Sequence, residues 1–403
     1  MSASLTAAPA TASAAASAAA PATASATASA TAPVAPLHSG DRLSSKGAYL
    51  PSQPGTVLWG RLPAPTDPAV LQIDAGETIV VDTVSHEGMM PDQGSDPLRY
   101  FGSHGVAASD VLDDAIAIAH GVTRGTDDGP HIVTGPIHVR GALPGDLLAI
   151  RIDALDMRAP YGVISTRHGH GVLNGLNGTG GTYSAFTTVD PRAGGWTGSL
   201  PLNPGSPETV TFPLAPFLGI IGVTADQRTR LHSVPPGPFG GNLDIAPLTA
   251  GSTLYLPVQV AGAGLYLGDP HYAQGDGEVA LTALEAPLRA TLTIDLIPAS
   301  AARAELGAVV GPFAAAHGFV IPTGLSESLD LAMRRCTANA VELVVALFGM
   351  DRKLAYLYLS AAADFSVSQA VDVVKGVHGR VRISDFPNAG VTALARQIVE
   401  AAR

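Results

Sequence analysis

The segment Gly268–Val279, with the sequence GDPHYAQGDGEV, concentrates side chains that can bind a metal or move a proton. Asp269 and His271 are two residues apart, as are Asp276 and Glu278. In an extended chain this spacing sends both members of a pair to the same side. Carboxylates and an imidazole presented together suit a divalent cation of the zinc type, so we predict a metal site here. The alternative is a polar hairpin loop whose Asp and Gly residues only form turns.

Two more histidines lie beside predicted strands. His86 and Glu87 follow the apolar run Glu77–Thr83, and functional residues often lie where a strand ends. His131 begins another extended run. We therefore treat His86 as a candidate metal ligand and Glu87 as a candidate proton acceptor. His131 is either a further ligand or a structural hydrogen-bond donor.

Other familiar catalytic signatures do not occur in the sequence. It has no G-x-S-x-G nucleophile motif, no Walker phosphate loop and no H-E-x-x-H helix. Cys336 lies in a predicted amphipathic helix, where we expect a buried and inert thiol. The pair His168 and His170 fits either one face of a metal site or a solvated Gly-rich loop.

Short apolar runs separated by Gly, Pro, Asn and Asp predict a β-rich body that holds these side chains. One helix is predicted within it, over Ser109–His120, with Ser109 or Asp110 as its cap. The predicted strands are Glu77–Thr83, Asp146–Ile152, Phe217–Val223, Thr253–Val260, Glu278–Leu284 and Ala290–Leu296.

The apolar spacing changes after residue 300 to that of helices. Helices are predicted over Ser326–Phe348 and Arg352–Ala363, and Gly349 is a natural stop between them. The fold class expected is therefore mainly β, a β-sandwich body with a helical, α+β C-terminal part. We place the body, which carries the metal site, at residues 47–300 and the helix-rich part packed on it at residues 301–403.

Two segments lie outside this pattern. Residues 1–46 are rich in Ala, Ser, Thr and Pro, and residues 1–40 hold no charged side chain except histidine, which predicts a disordered tail. A cleaved secretory signal is the alternative, but no basic start and no Leu-rich stretch support it. The Gly-, Thr- and Pro-rich segment Asn174–Pro207 is expected to be a long functional loop or an insertion.

Composition excludes several classes of protein. The 403 residues carry 23 basic and 34 acidic side chains, a net charge of −11, with 5% aromatic residues and one cysteine. A disulfide framework is impossible, and a nucleic-acid partner is not expected without a basic run. No apolar run is long enough for a membrane span. We expect a cytoplasmic protein with a small-molecule partner.

The sequence resembles the acetamidase/formamidase family from about residue 50 onward. GDPHYAQGDGEV resembles the signature G-D-x-H-x-x-Q-G-D-G-E of that family. TGPIHVRGALPGDLL, PPGPFGGNLDI and AYLYLSAAADFSVSQAVDVVKGVH resemble three further family segments, in the same order along the chain.

The resemblance implies a β-rich fold, a divalent metal, a homo-oligomer, and hydrolysis of short amides to carboxylate and ammonia. Residues that carry over onto the signature are Asp269, His271, Gln274, Asp276 and Glu278. His86 lies in a D-x-x-S-H stretch like that of the family, and His131 lies beside the T-G-P motif.

Amide hydrolysis needs a strong nucleophile, a stabilised oxyanion and a proton for the leaving nitrogen. A metal-activated water meets the first need and the cation polarises the carbonyl. We expect His86, Asp269 and His271 to hold the metal, with His131 in reserve, and Glu278 or Glu87 to carry the proton.

Asn242 or backbone N–H groups near it are the expected oxyanion donors. Zinc is the favoured metal. The alternatives are a non-catalytic β-sandwich that binds a small ligand and holds structural calcium, or a hydrolase of another amide-like bond.

Overall fold

A computed structural model describes residues 34–43, 47–173, 182–192, 195–307, 309, 311–387 and 390–403. Its strands are β1 Ala48–Leu50, β2 Val57–Trp59, β3 Leu71–Ile73, β4 Glu77–Asp82, β5 Ile132–Val139, β6 Leu147–Met157, β7 Tyr161–Ser165, β8 Ser184–Arg192, β9 Gly195–Pro201, β10 Thr209–Pro213, β11 Phe217–Gly222, β12 Gly240–Asn242, β13 Thr253–Pro257, β14 Leu265–Ala273, β15 Leu284–Glu285, β16 Leu288–Ile297, β17 Phe313–Ala316, β18 Phe319–Ser326, β19 Asp364–Gln369 and β20 Lys375–Arg382. Its α-helices are α1 Pro97–Ser103, α2 Asp113–Gly121, α3 Ala299–Leu306, α4 Leu329–Phe348, α5 Arg352–Ala362 and α6 Ala393–Ala401.

These strands form two large sheets. The first has the order β1-β4-β16-β6-β13-β17-β18-β20-β19. The second has the order β10-β9-β8-β7-β15-β14-β11-β12, and β5 joins it by pairing with β14, β2 and β3. Most pairs are antiparallel, as expected for strands joined by short turns. The mainly β fold class expected from the sequence is confirmed.

The largest apolar core lies between the two sheets. It joins Leu148 and Ile150 of β6 to side chains of the second sheet such as Leu218 and Leu265. The alternate residues of β6, Leu147 and Ala149, face the opposite way and belong to a second core with the C-terminal helices. Because successive side chains of a strand alternate between faces, β6 is apolar on both.

Helices α3 to α6 cover the outer face of the first sheet. In α4 the buried residues recur at helical spacing, as in Ala332, Cys336 and Ala340. The helix ends at Gly349, which has a left-handed φ of 68°, as the sequence predicted. Strands β17 to β20 join the same sheet as β4 and β6, so strands from both sides of residue 300 share it. The division of the chain at that residue stays a prediction.

Five of the six predicted strands are present, and the one over Glu278–Leu284 is wrong. That stretch is an irregular loop, with only Leu284 in a strand, because Glu278 and Leu281 have φ values of 44° and 94° that a strand does not allow. The segment Asn174–Pro207 is also not one long loop, since β8 and β9 occupy much of it. Residues 174–181 and 193–194 lie outside the described residues.

The predicted helix over Ser109–His120 starts later than expected. Helix α2 begins at Asp113, and Ala108–Asp110 form a separate short turn of 3-10 helix. Neither Ser109 nor Asp110 caps α2, whose N-cap is Leu112 without a capping side chain. Residues 1–33 and 44–46 of the predicted tail lie outside the described residues.

Residues 34–43 of that predicted tail contact the body through a buried charge network. Arg158, fully buried, donates hydrogen bonds to the backbone oxygens of Leu37 and Thr83 at 3.0 Å and to Asp114 at 2.6 Å. Arg289 binds both carboxylate oxygens of Asp82, at 2.6 and 2.9 Å. Asp82 is the last residue of β4, so the network fixes the point from which the chain runs to His86.

In the part of the chain that the structure describes, no helix is both long enough and apolar enough to cross a membrane.

Replacing Arg158 by Met should lower the free energy of unfolding by about 3 to 5 kcal/mol, because the change leaves the buried Asp114 without its partner. Urea denaturation followed by circular dichroism measures the loss. The control is Arg151→Met, since Arg151 forms an exposed pair with Asp153 that is worth at most about 1 kcal/mol. Equal losses for both variants would contradict a structural role for the network.

Candidate functional site

Histidine and carboxylate side chains from distant parts of the sequence meet at one end of the second sheet. His271 of β14 has its Nε2 atom 3.0 Å from Oε1 of Glu285 and 3.2 Å from Oδ2 of Asp269. His131, which directly precedes β5, has its Nε2 atom 3.8 Å from Oδ1 of Asp269. The rings of His86 and His131 lie 5.8 Å apart. All five side chains are buried.

One group in this cluster has the composition of a metal site. His86, Asp269 and Glu285 each present a ligand atom, and these atoms lie within 4.8 Å of one another. Nε2 of His86, Oδ1 of Asp269 and Oε2 of Glu285 have no hydrogen-bond partner among the described residues. Buried polar atoms are nearly always paired in native proteins. Unpaired atoms on three residues whose ligand atoms lie this close together fit a bound cation.

A second group lies next to the first. It consists of Asp244, which follows β12, together with His271 and Glu278, again with ligand atoms within 4.8 Å of one another. Both carboxylate oxygens of Asp244 are buried without a hydrogen-bond partner among the described residues. Each group contains one imidazole, a ligand that calcium sites seldom use.

The electrostatics of the cluster show an excess of buried acid. Burial raises the pKa of Asp244 and Glu278 well above the usual carboxyl value, and the neighbouring carboxylates raise it further. Burial also raises the pKa of Asp372 to about 8. Burial opposes the charge on His271 too, but Glu285 and Asp269 outweigh it and raise the pKa of that imidazole. Divalent cations would neutralise this excess of negative charge.

The pKa of His131 shifts in the opposite direction to that of His271. Burial lowers its pKa to about 4, so the imidazole is neutral at physiological pH. Its Nδ1 atom lies 3.0 Å from the hydroxyl of Ser233. A neutral imidazole held through one nitrogen has the other free to bind a metal, so both roles expected for His131 remain open.

The backbone at three of the carboxylates is strained. Asp244, Asp269 and Glu278 have φ values of 50°, 52° and 44°, a left-handed conformation that is uncommon for residues other than glycine. Such conformations persist where the surrounding structure enforces them, and they concentrate at functional sites.

Gly219 of β11 lies directly beneath this cluster. A Cβ atom at this position would be 2.5 Å from Oδ1 of Asp244, 2.6 Å from Oδ2 of Asp269 and 2.8 Å from Cε1 of His271. Only glycine leaves room for all three side chains.

The loop after β14 carries Glu278 and is held against the C-terminal part. The backbone N–H of Gly277 donates to the backbone oxygen of Ser368 at 3.0 Å, and Ala370 donates back to Gly277 at 3.0 Å. The side-chain amide of Gln274 donates to the backbone oxygens of Asp244 and Ser368 at 3.0 and 3.2 Å. Gln274 therefore ties the loop down, a structural use that the sequence did not predict.

A cavity of about 590 Å³ opens over the first ligand group. His86, Asp269 and Glu285 line it, whereas His271 and Asp244 do not. The other polar residues of its wall that the site can use are His131, Asn242, Glu278 and Asp372.

Of the remaining residues predicted from the sequence, Asn242 fits its expected role and Glu87 does not. Asn242 is buried and its Oδ1 atom has no hydrogen-bond partner among the described residues. Glu87 is bound by Arg167 and Gln93, and the two basic neighbours, His86 and Arg167, outweigh burial and lower its pKa. A carboxylate paired in this way is a poor proton acceptor.

Asp276 is exposed and lies outside both ligand groups, so the prediction that it shares a side with Glu278 is wrong. Gly277 and Glu278 both have positive φ, which breaks the alternation of an extended chain. Of the histidine pair, His170 lines the cavity, and the side chain of His168 lies outside the described part.

Sequence reasoning missed three residues of the cluster: Glu285, Asp244 and Asp372. Glu285 lies in a strand of two residues, which no periodicity reveals. Asp244 and Asp372 both occur in segments that resemble the family, GGNLDI and SQAVDVVKGVH, and an acidic residue in a family segment was the available signal.

The fold and the cluster together define a mainly β protein with a buried histidine and carboxylate site of the kind that holds divalent cations. Residues 225–398 match the acetamidase/formamidase family. The resemblance found in the sequence motifs is thereby confirmed.

Two curated relatives show the same relationship. The chain is 31% identical over 209 residues to an acetamidase of Mycolicibacterium smegmatis, in a match that covers 39% of this chain and 51% of that protein. It is 54% identical over 48 residues to a formamidase of Methylophilus methylotrophus, which covers 12% of each. The chain thus spans about half the length of the first relative and a small part of the second.

The architecture also occurs in a solved structure. The acetamidase of Bacillus halodurans superposes with a TM-score of 0.65 at 23% identity, over 85% of this chain and 100% of that chain. At this identity the likeness shows a shared fold.

Replacing Gly219 by Ala should displace Asp244, Asp269 and His271 and reduce the bound metal to well below that of the wild-type protein. Metal content after dialysis, measured by plasma mass spectrometry, tests this. The matched control is Gly55→Ala, because no atom lies within 4 Å of a Cβ at Gly55. A Gly219→Ala protein that keeps its metal would show that the cluster tolerates the displacement.

Exchanging a carboxylate for an amide should lower metal affinity at Glu285 but not at Asp276. Glu285→Gln removes a charged ligand of the first group, so we expect metal affinity to fall by about 10- to 100-fold. Asp276→Asn makes the same chemical change on an exposed side chain and should leave affinity unchanged. Competition with a chromogenic chelator gives both values, and equal losses would contradict the assignment of Glu285.

Proposed function

We propose that the chain is a metal-dependent amidase that hydrolyses the C–N bond of a primary amide to a carboxylate and ammonia. The observation that carries this proposal is the buried group of His86, Asp269 and Glu285, whose unpaired ligand atoms face a cavity. The family match and the names of the relatives, acetamidase and formamidase, support the reaction class.

His86, Asp269 and Glu285 are the residues that would hold the cation. A divalent metal supplies Lewis-acid polarisation of a carbonyl and lowers the pKa of a bound water to near neutral. One imidazole with two carboxylates is a donor set that zinc accepts, and the imidazole disfavours calcium. In this proposal Glu285 is the third ligand, in place of His271, which we expected from the sequence.

His271 is proposed to position the metal ligands Glu285 and Asp269. Its Nε2 atom lies 3.0 Å from Oε1 of Glu285 and 3.2 Å from Oδ2 of Asp269, so the protonated imidazole forms an ion pair with each carboxylate. The raised pKa of His271 favours the protonated form. Such contacts orient the oxygens that face the cavity.

Glu278 and Asp372 are the proposed proton carriers. Both line the cavity, and burial raises the pKa of each carboxyl toward the range in which general acids and bases work at neutral pH. A carboxylate in this position takes a proton from the attacking water and returns it to the departing nitrogen. Because the two groups interact, they titrate as a pair.

Asn242 is the proposed oxyanion donor. It lies at the end of β12, buried and on the cavity wall. A hydrogen bond from a preorganised amide to the developing oxyanion is worth about 3 kcal/mol in related chemistry.

We also propose an oligomeric state and a cellular compartment for the protein. A homo-oligomer in the cytoplasm that acts on small amides fits the family. Two alternatives are a non-catalytic calcium-binding protein and a hydrolase of another amide-like bond. The experiments below distinguish both from the proposed amidase.

Replacing His86 by Ala should remove the bound metal and ammonia release together, with activity at least about 100-fold lower. Metal analysis and a coupled ammonia assay with acetamide and formamide measure the two effects. His120→Ala is the matched control, since His120 is an exposed residue at the end of α2.

Chelation of the wild-type protein should abolish ammonia release, and zinc should restore it. Calcium bound to a protein that turns over no amide would contradict the amidase proposal. Full activity in a His86→Ala protein that lacks metal would contradict the role of the metal.

A further inference from the structure

The cavity above the acid cluster is much larger than a short amide. Its volume is about 590 Å³, and a water molecule occupies about 30 Å³ in the liquid, so there is room for roughly 20 waters. Formamide or acetamide fills only a few such places. A site of this size would keep most of its water with a short amide bound, whereas substrate cavities bury most of their ligand.

Much of the cavity wall is apolar. The side chains that give it this character come from four separate segments of the chain: Met90, Pro91, Val234, Leu281, Val371 and Val373.

Two of these apolar residues are held in strained backbone conformations. Leu281 has a φ of 94° and Val373 a φ of 64°, which is a clear outlier for a β-branched residue. The side chain of Val373 is 58% exposed, so burial does not repay the strain. Strain of this kind concentrates at active sites and ligand clamps.

The two arginines of the cavity wall already have hydrogen-bond partners, and acidic side chains on the wall outnumber them. Arg167 is paired with Glu87 and, at 2.7 Å, with Asp92. Arg124 donates to the backbone oxygens of Gly129, at 2.7 Å, and Asp128. The wall therefore offers no surplus of positive charge that would attract an acidic substrate.

We propose that the physiological substrate class is primary amides with a medium-chain aliphatic or aromatic acyl group, which the apolar wall holds. This inference rests on the proposed function. Water adds to the carbonyl carbon, the C–N bond breaks, the nitrogen leaves with two protons of its own and one from water as ammonia, and the acid remains. The apolar group takes no part in the bond changes and contributes binding.

The test is a series of kcat/KM values for the zinc-loaded protein with acetamide, butyramide, hexanamide and benzamide. Each methylene buried should raise kcat/KM about fourfold, so hexanamide, with four more methylenes, should exceed acetamide by about 250-fold. Hexanamide with a carboxylate at its far end, 5-carbamoylpentanoate, has the same reach and should be at least about tenfold worse than hexanamide.

Two variants locate the effect on the wall. Val373→Ala and Val234→Ala should each lower the hexanamide-to-acetamide ratio of kcat/KM by about three- to tenfold. Val210→Ala is the control, because Val210 is an exposed valine of β10 outside the cavity, and it should leave the ratio at the wild-type value. Melting temperatures establish that each variant is folded.

Calorimetry with hexanoate and acetate, the reaction products, measures the contribution of the apolar group to binding without turnover. A kcat/KM that stays constant or falls from acetamide to hexanamide would overturn the inference. The proposed function would still stand, because ammonia would be released from acetamide. Hexanoate that binds no tighter than acetate would also overturn it. No ammonia from any amide would overturn the proposed function, while tighter binding of hexanoate would still support the apolar wall.

Discussion

The structure depends on a cluster of acidic side chains buried in its interior. Five carboxylates, from Asp244, Asp269, Glu278, Glu285 and Asp372, are buried beside three histidines. Taking isolated carboxylates out of water costs several kcal/mol each, and neither the arginines nor the backbone N–H groups nearby satisfy all of their oxygens. The cation of the proposed function would complete this cluster, and three of these residues have the strained backbone that is common at functional sites.

The two sheets supply the rigidity that this arrangement requires. Asp269 and His271 lie on β14, in the middle of the second sheet, where β11, β5 and β15 bind it from both sides. His86 lies in the turn that follows β4 of the first sheet, and the pair of Arg289 with Asp82 fixes the end of that strand. Side chains separated by nearly two hundred residues are thereby held to within a few ångströms, as metal ligands must be.

The sequence predicted the parts of this site that local spacing encodes. Asp269 and His271 share a strand, and His86 follows one, so alternation and position were enough to find them. Glu285 was missed because only the long-range pairing of β15 with β14 brings it to His271. Asp276 was wrongly paired with Glu278 because the turn at Gly277 has no extended geometry. Local patterns thus found the strands and half of the site, and contacts between distant segments decided the other half.

The hydrogen bonds between Gly277 and the segment Ser368–Ala370 have a consequence for biosynthesis. They join the loop of Glu278 to the hairpin of β19 and β20, which also carries Asp372 in its turn. A nascent chain that has left the ribosome only as far as the last strand of the second sheet has most of the acidic cluster and nothing to close it. Closure of the centre therefore waits until the β19–β20 hairpin has been translated and has docked against this loop.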